Sequence, residues 1–145
     1  MTETSFYILN TSQSRERYIV ACRVAEKAYK LGQRVFILTS STEETRTLDN
    51  LLWSFRQGSF VPHTVIDENR QPSTEALSNT VIISSSVLAS NATVLINLSV
   101  DIPDNIDTFE RIVEIIDQNA QIKQTGRQRY KAYQSKNIQL NTHNL

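Results

Sequence analysis

The stretch SFYILNTSQSRERYIVACRVAEKAYKLGQRVFIL, Ser5 to Leu38, decides the fold. SFYILN is a short apolar run bounded by polar residues, which reads as a buried strand. After the turn-like NTSQS, Tyr18, Ala21, Cys22, Ala25, Ala28 and Tyr29 recur at helical spacing, while Arg15, Glu16, Arg23, Glu26, Lys27 and Lys30 fall on other faces. Gly32 is placed to end that helix, since glycine tolerates the left-handed conformation common just past a helix. RVFIL follows as a second strand, rich in branched and aromatic residues.

Ser41 with Glu44 three positions later is a capping-box pattern, opening a helix through Leu48, Leu51, Leu52 and Phe55 that ends near Gly58. Strand, helix, strand, helix with short connections predicts an α/β fold, a mostly parallel central sheet with crossover helices on its faces. Pro62 demotes SFVPHTVI to an edge strand or extended loop, because proline has no amide to donate to a ladder. DENRQPSTEALSN should be a surface segment, and TVIIS and TVLINL two more buried strands. Asp107 and Glu110 repeat the capping pattern before Phe109, Ile112, Val113, Ile116 and Ile122, which predicts an amphipathic helix interrupted at Gly126. The RQRYKAY block would then form a second short helix, followed by a mobile tail.

A chain of 145 residues is the size of one domain. The longest apolar runs fall far short of the roughly 18 residues a membrane span requires, and MTETSFYILN has no signal-peptide pattern, so a cytoplasmic protein is expected. Cys22 has no second cysteine to pair with, and two histidines 80 positions apart form no metal cluster. The net charge of zero conceals an asymmetry: residues 118–145 hold five cations and no acid, so the rest of the chain is acidic. Such asymmetry usually reflects a partner rather than the fold.

A doubly wound sheet suggests nucleotide binding, but a phosphate-binding turn needs glycine after the first strand. The glycines are at 32, 58 and 126, so neither the dinucleotide nor the Walker pattern is present. Cys22 lies on the apolar face of its helix and reads as core. The serines at 84–86 lack the glycines of a nucleophile elbow, and neither His63 nor His143 has an evident acid or nucleophile partner. No catalytic set emerges. Trp53, at the margin of its helix's apolar face, is either a half-buried packing residue or an aromatic anchor for a partner, and Phe60 poses the same question.

The block RQRYKAYQSKN, Arg127 to Asn137, holds four cations, two tyrosines and no acid. On a helix, Lys123, Arg127, Tyr130 and Lys131 come to one side. Three readings stand: a solvated basic face, a site for an acidic peptide, or a small nucleic-acid patch. The acidic body disfavours a long polyanion. A short acidic ligand suits the block better, with carboxylate on arginine and an apolar side chain on tyrosine.

FYIL, GQRVFIL, LDNLLWSF, SFVPHTV, VLINL and RQRYKAY with a later LNT resemble, in that order, the chi subunit family of the bacterial DNA polymerase III holoenzyme. The resemblance implies a Rossmann-like domain over residues 1–145 that binds no nucleotide, needs no cofactor or metal and has no catalytic site. It also implies a clamp-loader accessory that pairs with the psi subunit and binds the acidic C-terminal tail of single-stranded DNA-binding protein. Little direct nucleic-acid binding is implied. Positions matching the family's tail site are Trp53, Ile116, Lys123, Arg127, Tyr130 and Lys131, with Asn141 and Thr142 in the LNT segment. Arg127 and the lysines would hold carboxylates, and Tyr130, Ile116 and Trp53 would line a pocket for the tail's terminal phenylalanine. The psi surface is expected around Phe60, Val61 and Pro62. Residues 67–91 match the family poorly, and Asp117 and Gln118 replace a Pro-aromatic pair at the rim. A small nucleotide- or nucleic-acid-binding domain is the alternative.

Overall fold

In the computed structural model, which describes residues 2–58, 60–67, 69, 80–86, 92–104 and 106–145, the opening alternation becomes β1 (Glu3–Ile8), α1 (Ser14–Lys30), β2 (Val35–Leu38) and α2 (Thr42–Ser54). Gly32 adopts φ 79° just past α1, and its N–H donates to Tyr29 O at 2.9 Å, closing the helix as expected. Ser41 caps α2 by accepting from Glu44 N at 3.1 Å, while the Glu44 carboxylate reaches back to Ser40 N rather than to Ser41.

The remaining elements are β3 (His63–Val65), β4 (Val81–Ser84), β5 (Val94–Asn97), a 3-10 turn (Ile106–Thr108), β6 (Arg111–Ile116), α3 (Ala120–Ser135) and β7 (Gln139–Asn144). Among the described residues seven strands form one sheet in the order β3-β4-β2-β5-β6-β1-β7, with each of these strand pairings parallel. Both faces are covered, as a parallel sheet requires. Ala21, Cys22 and Ala25 of α1 and Leu48 and Leu52 of α2 bury one face against Ile37, Ile83, Ile96 and Val113. On the other face Tyr133 of α3 joins Phe6, Phe36, Leu95, Ile112 and Ile116. Cys22 is wholly buried and desolvation pushes its thiol up to about 12, which fits a core residue.

Three expectations are corrected. The helix expected from Phe109 through Ile122 is instead strand β6 followed by the start of α3. Ile112, Glu114 and Ile116 turn to one face and Val113 and Ile115 to the other, so RIVEII has a period of two. The helical spacing drawn through Ile112, Val113 and Ile116 passes over Glu114 and Ile115, and both are fully buried. Gly126 lies inside the continuous helix α3 instead of interrupting it. The expected loose tail is edge strand β7, paired with β1 from Gln139 to Asn144. Pro62 does mark an edge: β3 pairs only with β4 among the described strands. The surface segment expected at 67–79 lies outside the described residues, apart from Asp67 and Asn69.

Candidate functional site

Two successive side chains start α3. Asp117 Oδ1 accepts from Asn119 N at 2.9 Å, and Asn119 Oδ1 accepts from the N–H groups of Gln121 and Ile122 at 2.9 and 3.2 Å. The helix then sorts the basic block into two sets. Arg129 and Tyr133 turn inward and are buried, whereas Arg127, Tyr130 and Lys131 stay exposed.

The inward set meets Glu114 beneath the helix. Arg129 Nε donates to Glu114 Oε1 at 2.8 Å, and Tyr133 Oη and Asn97 Nδ2 donate to Oε2 at 2.6 and 3.0 Å. Arg129 Nη1 also donates to Val100 O at 3.1 Å. Burial pushes the Glu114 carboxyl upward, opposed first by the Arg129 charge and then by its three donors. This network ties α3 to the middle of the sheet and turns one of the block's cations into an internal counter-ion.

The outward set borders a cavity of about 300 Å³ between the first half of α3 and the carboxyl-terminal ends of β1, β6 and β7. Phe6, Ile8 and Ile116 form its apolar lining with Tyr130, whose ring lies 5.2 Å from that of Phe6. Lys123, Arg127, Gln118 and Thr142 contribute polar groups. Gln118 is fixed from both ends, with Nε2 donating to Leu9 O at 2.7 Å and Oε1 accepting from Lys123 Nζ at 3.2 Å. Gly126 completes the wall. A Cβ there would lie 2.6 Å from Ile116 Cδ1, so the absence of a side chain lets α3 approach the lining. An apolar hole beside an arginine and a lysine can take an apolar side chain together with a carboxylate.

Of the expected tail-site residues, Ile116, Lys123, Arg127, Tyr130 and Thr142 come together here. Lys131 is one turn beyond Arg127 on the exposed surface, and Asn141 borders a separate cavity with Ser5, Arg111 and His143. Trp53 is elsewhere: α2 packs on β3 and β4, whereas α3 packs on β6 and β7 across the sheet. Gln118 stands at the rim as expected, whereas Phe6, Ile8 and Gly126 were not singled out for the site. Their signal was weak, since the first two read simply as strand core and Gly126 as a helix breaker.

Trp53 instead joins the other expected surface. Its ring lies 5.5 Å from Phe60 and 4.7 Å from His63, and Trp53 and Phe60 are 57% and 64% exposed. Val61 is buried in the core, so of the expected triplet it is Phe60 that offers a large apolar surface, with Pro62 half-buried beside it. His63 is held between Val61 O, 2.7 Å from Nδ1, and Asp49 Oδ1, 2.9 Å from Nε2, beneath the tryptophan.

Where an open α/β sheet usually receives a nucleotide, beyond the carboxyl ends of its strands, this chain places its own side chains. Arg17 is buried there, donating from Nε to Ile115 O at 2.8 Å and lying 3.9 Å from Glu44. Tyr18 Oη donates to Glu44 Oε2 at 2.7 Å; burial and that bond push its hydroxyl up to about 12. The polar groove above, about 700 Å³, offers Ser14, Arg15, Ser41 and Glu43 but no glycine-rich turn. Among the described residues no group of three His, Cys, Asp or Glu could hold a metal, and no helix is long and apolar enough to cross a membrane.

Comparison with known proteins identifies the family. Residues 1–141 match the family model "DNA polymerase III chi subunit, HolC". The DNA polymerase III subunit chi of Pseudomonas aeruginosa is 30% identical over 146 aligned positions, covering 100% of this chain and 98% of the relative. The chi subunits of Escherichia coli and Haemophilus influenzae are 26% and 28% identical, covering 98% and 97% of this chain and 97% and 95% of the relatives. The chain therefore belongs to the DNA polymerase III chi subunit family.

Proposed function

We propose that this chain is a non-catalytic replisome adaptor that holds the acidic C-terminal tail of single-stranded DNA-binding protein in the α3 pocket and the psi subunit on the Trp53–Phe60 surface. It would thereby link the clamp loader to coated single-stranded DNA. The observation that carries the tail assignment is the union of an apolar cavity with Arg127 and Lys123. A C-terminal phenylalanine presents an aromatic ring and a carboxylate on one residue, which matches that union, and Lys131 one turn away suits an upstream acid. Trp53 is reassigned to the psi surface because it packs on Phe60 rather than on Tyr130. The two surfaces sit on opposite faces and toward opposite edges of the sheet, so both partners can be held at once.

Binding of full-length single-stranded DNA-binding protein, compared with a form lacking its last residues, tests the tail assignment. Retained affinity without the tail overturns it, as does tight, salt-sensitive binding of bare single-stranded DNA.

Gly126→Ala gives a separate expectation. Removing glycine from a helix interior favours folding by about 1 kcal/mol, and the clash is with the far end of a flexible isoleucine. Thermal stability should therefore hold or rise slightly, while Ile116 shifts and tail affinity falls on the order of tenfold through the misshapen pocket.

For the second surface, Phe60→Ala with Trp53→Ala should weaken association with psi by about 2–4 kcal/mol, as loss of exposed aromatic anchors does. Calorimetric titration with psi measures this, and tail affinity should be unchanged in the same variant.

A further inference from the structure

We propose that the stretch of peptide preceding the pocket-bound carboxyl-terminal residue pairs with β7 as an eighth parallel strand, so that the open sheet edge and the α3 pocket together recognise an extended acidic segment. This rests on the peptide reading of the pocket above. Among the described strands β7 pairs only with β1, leaving its other side open. In a parallel ladder alternate residues address each neighbour. Leu145 N donates to Ile8 O at 2.9 Å, so Gln139, Asn141 and His143 face β1, whereas Leu140, Thr142 and Asn144 direct their N–H and C=O groups outward. The sequence QLNTHN contains none of the lysines or prolines that commonly block an exposed edge.

The edge is continuous with the pocket, since Thr142 belongs to both. Charge supplies the rest. Arg129 bonds to Val100 O after β5, so that flank of α3 faces the sheet interior, while Tyr130 on the opposite flank packs over Phe6 of β1. Lys123 and Arg127 line the pocket with Phe6 of β1 and Thr142 of β7, and Lys131 follows Arg127 at the same four-residue spacing. Arg129 is matched by Glu114; none of these three cations has an acidic partner among the described residues.

Chain direction follows. Helix α3 starts beyond the carboxyl end of β6 and finishes just before β7 begins, so Lys123 and Arg127 stand near the end of β7 and Lys131 nearer its start. A peptide with its terminal carboxylate at Arg127 and an upstream acid at Lys131 runs in the same direction as β7.

The test is a backbone N-methyl scan of a short Asp-rich peptide ending in Pro-Phe with a free carboxylate, titrated against the whole protein and against Arg127→Ala. Losses on the order of tenfold at every second residue, with little change between them, are expected if those amides donate to β7. Thr142→Pro, which removes an outward N–H, should weaken binding beyond Thr142→Ala. A flat scan, with binding still lost in Arg127→Ala, overturns the strand pairing and leaves the pocket reading intact. Failure of the unmethylated peptide to bind overturns both.

Discussion

Replacing Glu114 by alanine is expected to destabilise the fold by about 3–5 kcal/mol, the usual cost of stranding one member of a buried ion pair. Arg129 would keep its charge beneath α3 with Val100 O as its remaining partner, and Tyr133 and Asn97 would lose their acceptor. Denaturant unfolding measures the loss directly. Arg129→Ala should cost a similar amount, and the double variant less than the sum, because the two residues share one interaction. A loss below about 1 kcal/mol for Glu114→Ala would mean that the network contributes nothing special to anchoring the helix.

Arg127→Ala, two residues before Arg129, should do the opposite. Its side chain is exposed, so stability should stay within about 0.5 kcal/mol of the parent. Affinity for an acidic tail should fall by about 1.5–3 kcal/mol, roughly ten- to a hundredfold, the worth of a hydrogen bond to a charged group. Arg127→Lys should recover part of that, since lysine keeps the charge but loses the fork that grips a carboxylate with two donors. The parent's affinity should also fall with added salt more steeply than the variant's, because screening acts on the charge removed. These two arginines make the division of labour in α3 measurable: one holds the helix, the other holds the ligand.

That division was partly legible in the sequence. Helical spacing alone brings Arg127, Tyr130 and Lys131 together and turns Tyr133 and Arg129 away from them. It could not show what the inward pair meets, because their partner Glu114 lies in a segment expected to be a helix and found to be a strand. A carboxylate inside an apolar run reads as amphipathic until its counter-ion is known, and that counter-ion, Arg129, comes 15 residues later on the next helix. The opening alternation from Ser5 to Leu38 and the edge position of Pro62 followed from local patterns and survived. Gly126 did not read correctly, since its value lies in a tertiary approach to Ile116 rather than in a backbone turn. The position of Trp53 was not legible for a related reason: residue order says nothing about which sheet edge a helix end reaches, and only packing places the ring on Phe60. β7 looked like a polar tail because an edge strand exposed along one side has no apolar period to announce it.

On the proposed function, the α3 pocket grips a terminal carboxylate and the aromatic side chain next to it. Titrating the protein with a short acidic peptide ending in Pro-Phe, beside the same peptide amidated at its C-terminus, tests this most directly. Binding near the micromolar range, about −8 kcal/mol, is expected for the free acid, with a marked loss on amidation. Equal binding of the two forms, or none by the free acid, would contradict it.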